Sequence, residues 1–314
     1  MRISAVVGLL LDARLPLLAA RQRKGQARVR APGPLSIAIK ATKTVTFGYR
    51  DSSVPFSFMG TDQKPAGYSV DLCNRVADDL KRDLQMPDLA VKWAPVTVEN
   101  RVASVQNGTI DLECGSTTNT LSRQAQADFS LTTFVTGASL LTLKETVTAN
   151  LSGLRIAVIP GTTTEGALKQ AMDKSSISVQ LVPVKDHSDG RTALENKTAD
   201  AYASDREILI GLALTAKNPA DFALVDRYFS YEPYALMLRR GDPDFRIAVN
   251  RSLARLYRSG DIMVIYRRWL GALGAPNALE LATWAIEGLP GVAVRRPRRG
   301  RPSERRGRRC RCAG

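Results

Sequence analysis

Histidine and cysteine are scarce in this sequence, which has one histidine and four cysteines in 314 residues. A structural zinc site needs about four Cys or His ligands, and the pair Cys310 and Cys312 lies in an arginine-rich stretch with no histidine nearby. We therefore expect no metal site and no cofactor. The sequence also lacks an uninterrupted apolar run long enough to span a membrane, so we expect the mature protein to be soluble.

The strong positive charge of the chain lies at its two ends. Residues 1–43 carry nine Lys and Arg against one Asp, and residues 292–314 carry ten Arg against one Glu. Of the formal net charge of +15, the 248 residues between these ends contribute −2. No aromatic residues are interleaved with the C-terminal arginines, so we do not expect this stretch to bind nucleic acid.

Neither end is expected to join the globular core. Residues 291–314 have almost nothing to bury, which predicts a disordered tail. An arginine-rich stretch also arises when a GC-rich gene is read past its proper end, and the sequence leaves both explanations open. Residues 1–39 have the charge and apolar content of a secretory signal, but Asp12 and Arg14 interrupt the apolar run. We interpret them as an imperfect signal-like or non-native leader.

Between the ends, short β-type runs alternate with helical ones. The first series has predicted strands at TVTFGY, LAVKWAPV and TIDLE, with helices at SVDLCNRVADDLKRDL and VENRVASVQNG. The second has predicted strands at LRIAVI, VQLVPV and ADAYAS, each followed by a helix. Two extended segments, FSLTTFVTGASLLTL and FSYEPYALMLRR, imply two crossings between lobes. We expect an α/β fold with residues 40–135 and 235–290 in the first lobe and 136–234 in the second.

Two hydroxyl-rich loops each follow a predicted strand and precede a predicted helix: CGSTTN at 114–119 and PGTTTE at 160–165. A helix start offers unpaired backbone N–H groups and a partial positive charge, so two such loops facing each other would hold an anion. Arg123, just beyond the first loop, adds a bidentate donor for a carboxylate. Ser and Thr are also favoured helix N-caps, and that simpler explanation stays open.

Five stretches together resemble the periplasmic amino-acid-binding proteins of ABC transporters, family 3, and within them the glutamate/aspartate-binding branch. They are GYRDSSVPFSF, GYSVDLCNRV, VENRVASVQNGTIDLECGSTTNTLSRQAQADFS, IPGTTTEGAL and VKDHSDGRTALE. The resemblance runs from about residue 40 to about residue 290. It implies the type II periplasmic-binding-protein fold, in which two α/β lobes joined by two crossing strands close around a ligand in the cleft.

The resemblance also implies the ligand contacts. Asp205 would meet the α-ammonium group of a bound amino acid. Val98 stands where relatives often carry a hydroxyl, which leaves the choice between glutamate and aspartate open. Four residues would hold the α-carboxylate: Ser116, Thr118, Arg123 and Thr163. Three residues would surround a side-chain carboxylate: Arg50, Arg101 and His187.

The residue chemistry agrees with that division, because a zwitterion with a second carboxylate needs about three cationic donors and one acid. Simpler explanations remain for single residues. Asp205 is also a suitable cap for the helix that follows, and Arg50 is also typical of a surface charge. His187 is also typical of a hydrogen-bonded structural histidine.

Cys73 and Cys114 are expected to form a disulfide. Cys73 lies on the apolar face of a predicted helix and Cys114 at the end of a strand of the same lobe, so the two can approach each other. Export would place them in an oxidising compartment.

The function expected from the resemblance is periplasmic binding of L-glutamate or L-aspartate for delivery to ABC permease subunits. The protein would act as a monomer without catalytic residues. One alternative is a thiol hydrolase built on Cys114 and His187. Others are a dehydratase or lyase on the same fold, with Asp205 as its acid, and a sensory ligand-binding domain.

Overall fold

The computed structural model of the protein describes residues 34–146, 151–175 and 178–290. The tail predicted at 291–314 and the leader up to residue 33 lie outside the described residues. The strands are β1 (Thr44–Tyr49), β2 (Ser52–Ser53), β3 (Ser57–Met59), β4 (Pro65–Ala66), β5 (Ala90–Pro95), β6 (Leu112–Glu113), β7 (Asp128–Thr136), β8 (Ala138–Leu143), β9 (Arg155–Val158), β10 (Gln180–Pro183), β11 (Ala201–Asp205), β12 (Phe222–Leu224) and β13 (Glu232–Leu238). The helices are α1 (Pro34–Thr42), α2 (Tyr68–Asp83), α3 (Arg101–Asn107), α4 (Leu121–Gln124), α5 (Thr163–Ser175), α6 (His187–Glu195), α7 (Arg206–Leu214), α8 (Pro243–Ser259), α9 (Ile262–Leu270) and α10 (Ala278–Glu287).

Two five-stranded sheets form the cores of two lobes. In the first sheet the order is β5-β1-β6-β13-β7, with β1 parallel to β5 and β6 and with β13 antiparallel to β6 and β7. In the second the order is β10-β9-β11-β8-β12, with β9 parallel to β10 and β11 and with β8 antiparallel to β11 and β12. The two-lobed α/β fold is therefore confirmed.

The chain passes between the sheets at two places that lie side by side. Strand β7 belongs to the first sheet and β8 to the second, with Gly137 between them. The return runs from β12 in the second sheet to β13 in the first. A Cβ at Gly137 would lie 2.5 Å from the carbonyl oxygen of Ser230, so only glycine lets the two crossings approach this closely.

The periodic segments fold as their patterns predict. On α2, the residues Cys73, Val76, Ala77 and Leu80 are buried, as their helical spacing requires. Helix α3 ends at Gly108, whose φ of 77° is the left-handed conformation typical of a glycine after a helix. The strands β2 to β4 were not predicted, because runs of two or three residues are too short to show a period-2 pattern.

The last helices cover the first sheet. Helices α8 and α9 pack against α2, and α8 and α10 pack against β7. Within the described residues, no helix is both long and apolar enough to cross a membrane.

The predicted disulfide is confirmed. Cys73 of α2 is bonded to Cys114, which directly follows β6, and their Cα atoms are 6.2 Å apart. The bond ties a helix of the first lobe to the strand end that carries the first hydroxyl-rich loop.

Candidate functional site

The predicted site residues follow the carboxyl ends of parallel strands, where open α/β sheets bind their ligands. Arg50 follows β1, the loop after Cys114 follows β6, and Asp205 is the last residue of β11. All eight predicted residues line one cavity of about 30 Å³. The other lining residues are Val98, Thr162, Thr164, Ser204 and Ile208.

Helix capping is carried out by neighbours of the predicted hydroxyl donors. Thr120 caps α4, since its Oγ1 accepts from the backbone N–H of Arg123 at 3.2 Å. Thr162 does the same for α5, accepting from the N–H of Glu165 at 3.1 Å. Capping therefore does not account for Thr118 and Thr163, which lie in the cavity.

Two of the three predicted arginines are deeply buried. Arg50 is 3% exposed and Arg101 is 4% exposed, so the interpretation of Arg50 as a surface charge is wrong. Burial, and after it the charge of Arg101, lowers the pKa of Arg50 to about 10. Arg50 therefore remains charged at neutral pH, and burial also lowers the pKa of Arg101. Arg101 donates from Nη1 to Oγ1 of Thr117 at 2.8 Å.

Arg123 contacts the first hydroxyl-rich loop as well. Its Nη1 donates to the backbone oxygen of Thr118 at 2.8 Å. Burial, and after it the charge of Arg101, lowers its pKa to about 10, whereas the negative charge of Glu232 opposes that shift. The guanidinium group is thus held beside Thr118 with donor capacity to spare for an anion.

Asp205 faces the cavity and does not cap the following helix. It occupies the N-cap position of α7 but makes no side-chain cap hydrogen bond. Its Oδ1 accepts from Thr164 Oγ1 at 3.2 Å and its Oδ2 from the hydroxyl of Tyr234. Burial, and after it the negative charge of Glu232, raises the pKa of Asp205 to about 7. Its carboxylate is therefore poorly compensated and favours a cationic partner.

His187 is a neutral hydrogen-bonding group. It begins α6 and is 5% exposed, with Nδ1 at 2.7 Å from the hydroxyl of Tyr202. Burial, and after it the charges of Arg50 and Arg101, holds the pKa of His187 well below 6.5. His187 therefore makes the hydrogen bond of a structural histidine through Nδ1, and its ring also lines the cavity.

Two buried acids beside the cavity, Glu113 and Glu232, were not predicted from the sequence. Glu113 is fully buried, and among the described residues neither of its oxygens has a hydrogen-bond partner. Its negative charge is the largest influence that supports the protonated form of Arg101. Glu232 is 1% exposed and accepts hydrogen bonds from Thr118 and Thr163. Each of these acids lies next to apolar strand residues, which was a signal of burial but did not identify their partners.

These acids change the charge balance of the site. Three arginines were expected to face one acid, whereas the structure sets them against three: Glu113, Asp205 and Glu232. Cations, hydroxyl donors and an acid converge on one cavity, an arrangement that suits a small zwitterion. The thiol hydrolase is excluded, because the Cys114 sulfur is held in a disulfide. In the described part of the chain, no three His, Cys, Asp or Glu residues are placed to hold a metal ion.

Known proteins with similar sequences are amino-acid-binding proteins. The chain is 39% identical over 250 residues to the L-glutamate/L-aspartate-binding protein of Pseudomonas aeruginosa, which covers 77% of this chain and 82% of that protein. It is 38% identical over 261 residues to the glutamate/aspartate import solute-binding protein of Escherichia coli, covering 82% of this chain and 86% of that protein.

Solved structures share the two-lobed fold. An ancestral arginine-binding protein bound to glutamine superposes with a TM-score of 0.66 at 24% identity, covering 73% of this chain and 98% of its own. A solute receptor for L-cysteine of Neisseria gonorrhoeae superposes with a TM-score of 0.67 at 23% identity, covering 78% of this chain and 97% of its own. The family model of bacterial extracellular solute-binding proteins, family 3, matches residues 45–272. The chain therefore belongs to the bacterial extracellular solute-binding proteins of family 3.

Proposed function

We propose that the protein binds L-glutamate or L-aspartate reversibly in the periplasm and presents it, as a monomer, to the permease subunits of an ABC transporter. The observation that carries the proposal is the convergence of Arg50, Arg101 and Arg123 on one cavity with hydroxyl donors and Asp205. The names of the relatives in P. aeruginosa and E. coli support the choice of ligand.

The end of the cavity at the hydroxyl loops suits an α-carboxylate. Arg123, Ser116, Thr118 and Thr163 provide a guanidinium group, hydroxyls and a helix start there. Asp205 suits the α-ammonium group, because a cation beside it would compensate a carboxylate whose ionised form is disfavoured by burial.

The end of the cavity at Arg50 and Arg101 suits a second carboxylate. A negative charge between these two buried cations would offset their repulsion, whereas a neutral carboxamide would not. His187 adds a donor: if Nδ1 accepts from Tyr202, the neutral ring carries its proton on Nε2. Val98 lines the same cavity and has no hydroxyl to contribute.

Titration calorimetry with glutamate, aspartate and glutamine tests the proposal. Leaving buried cations without their anion costs about 3 kcal/mol, so glutamine should bind about a hundredfold more weakly than the acidic ligands. Arg123→Ala should weaken all three ligands alike, since it removes a contact to the shared α-carboxylate. Arg101→Ala should weaken glutamate and aspartate selectively. Arg246→Ala, on the exposed face of α8, is the matched control and should change nothing.

Two outcomes would overturn the proposal. Equal affinity of the unmodified protein for glutamate and glutamine would remove the distal carboxylate subsite. A change in the ligand recovered after incubation, seen by chromatography, would show that the protein is an enzyme, as the dehydratase or lyase alternative requires.

A further inference from the structure

Glu232 bridges the two sides of the cavity. It is the first residue of β13, beside the return crossing between the sheets, and it is 1% exposed. Its Oε2 accepts from Thr118 Oγ1 at 2.5 Å and from Thr163 Oγ1 at 2.6 Å, and its Oε1 accepts from Ser230 Oγ at 2.6 Å. Thr118 belongs to the loop after β6 in the first lobe, and Thr163 begins α5 in the second.

The two threonine hydroxyls are fully committed by these contacts. A hydroxyl has one proton to donate, and both protons point to the same carboxylate oxygen. While they do so, neither hydroxyl can donate to the α-carboxylate of an amino acid.

The contacts of Glu232 match those expected of the ligand. Besides the two hydroxyls, its negative charge supports the protonated form of Arg123. Thr118, Thr163 and Arg123 are three of the four residues assigned to the α-carboxylate. We propose that Glu232 is a resident carboxylate at the α-carboxylate subsite, which holds the hydroxyls of Thr118 and Thr163 and must release both when the α-carboxylate of an amino acid takes its place. This inference rests on the proposed function, since it names an affinity-determining residue of the same site.

The release lowers affinity for every amino acid. Binding must break two charge-assisted hydrogen bonds and place a second carboxylate near the first, and like charges at such distances in a buried site repel strongly. Removing the charge of Glu232 should therefore tighten binding at least about tenfold. A residue that served only to hold the lobes together would give the opposite result.

Glu232 also affects the ammonium partner. The titratable or charged groups that act on Asp205, or on which it acts, include Glu232, Glu207, Tyr234, Tyr202, Arg101 and Arg123. Of these, Glu232 makes the largest contribution that raises the pKa of Asp205, second only to burial. Asp205 binds an ammonium group in its ionised form, so this binding occurs above the pKa of Asp205 and is lost as the pH falls through it. Neutralising Glu232 should move that loss to lower pH.

The experiment compares the full chain with Glu232→Gln, which keeps an acceptor oxygen, and with Glu232→Ala. Affinity for L-glutamate is measured by calorimetry from pH 5 to pH 8, with Glu195→Gln at the end of α6 as the charge-matched control. We expect both variants to bind at least about tenfold more tightly at pH 8 and the midpoint of the pH profile to fall in Glu232→Gln. Unchanged or weaker binding by Glu232→Gln, or an unmoved midpoint, overturns the inference.

A panel of amino acids separates this inference from the proposed function. Every amino acid has an α-carboxylate, so the comparison is repeated with whichever member binds most tightly. If glutamate and aspartate do not bind but another amino acid does, the proposed ligand is wrong. The effect of Glu232→Gln is then measured with the amino acid that binds. The contact itself is tested without ligand by the melting temperatures of Glu232→Gln, Thr163→Val and the double variant. If the loss of melting temperature in the double variant equals the sum of the two single losses, the bridge is refuted. A loss smaller than that sum would support it.

Discussion

The Nδ1 of His187 lies 2.7 Å from the hydroxyl of Tyr202, inside the core of the second lobe. The two residues are brought together by the start of α6 and by β11. The pKa of His187 is held well below 6.5 by burial and by the charges of Arg50 and Arg101, so the ring is neutral and this contact helps to hold its orientation.

Tyr202→Phe should therefore weaken glutamate binding about tenfold, since the imidazole loses the partner that orients its free N–H toward the cavity. Its melting temperature should change little more than that of the control Tyr266→Phe, which lies on α9. Calorimetry and thermal melts measure the two effects. If Tyr202→Phe and Tyr266→Phe bind glutamate equally well, the contact between Tyr202 and His187 has no role in binding.

Asp205→Asn should stabilise the ligand-free protein at alkaline pH while it weakens binding. The folded pKa of Asp205 lies near 7 and the unfolded value near 3.8, so the folded chain binds the proton more tightly. Its contribution to stability is fully present below pH 4 and is lost as the pH rises through about 7. Asn does not ionise, so the variant should gain roughly 2–4 kcal/mol over the unmodified protein at pH 8. Urea unfolding at pH 4 and pH 8 measures this gain, and a variant less stable at pH 8 would refute it.

Glu113→Gln should destabilise the protein without ligand by about 1–3 kcal/mol, because Glu113 is the acid with the largest effect on the pKa of both Arg50 and Arg101. A Cβ at Gly115 would meet Glu113 Oε1 at 2.1 Å and Arg50 Cγ at 3.0 Å, which places both side chains against this glycine. Glutamate should raise the melting temperature of Glu113→Gln more than that of the unmodified protein, since its distal carboxylate replaces the missing charge. Equal shifts would argue against that role.

Replacing both Cys73 and Cys114 by Ala should lower the free energy of unfolding by roughly 4 kcal/mol, since the bond closes a loop with a sequence separation of 41 residues. Denaturant unfolding measures the loss, and the unmodified protein under reducing conditions is the comparison. Alkylation of the unfolded, unreduced chain should label only Cys310 and Cys312, which lie outside the described residues. Labelling of all four cysteines would rule out the bond.

The stability of a shortened protein should depend on whether helix α1 is kept whole. The first lobe was predicted to begin at residue 40, but α1 runs across that position and its Ile39 is 1% exposed within the main core. A chain of residues 34–290 should bind glutamate like the full chain and melt within a few degrees of it. A chain of residues 40–290 should lose about 1–3 kcal/mol, the value of one buried isoleucine side chain. Equal melting of the two shortened chains would show that α1 adds nothing.

Local pattern was sufficient for the periodic elements and for residues at strand ends. The predicted strand TVTFGY is β1 without any shift of its bounds, and Gly108 ends α3 as expected. The hydroxyl loops were found because each follows a strand and precedes a helix within a few residues. The eight predicted residues were implied by the family resemblance, and all of them line one cavity.

Glu113 and Glu232 could not be assigned from local pattern, because their importance comes from partners far along the chain. Glu232 meets Thr118 and Thr163 across sequence separations of 114 and 69 residues. Asp205 likewise looked like a helix cap, since only the packed structure shows Tyr234 and Thr164 as its partners.

The sequence by itself determined the α/β class and the two hydroxyl-rich loops, because these depend on short-range periodicity and on neighbouring turns. It also placed Cys73 and Cys114 in one lobe, whereas the ligand contacts came from the family resemblance. The tertiary structure alone decided which acids join the arginines and which groups are charged. A pKa depends on burial and on charges within a few ångströms, and both are set by contacts between distant segments. That is why His187 is neutral beside two arginines, and why the pKa of Asp205 is raised.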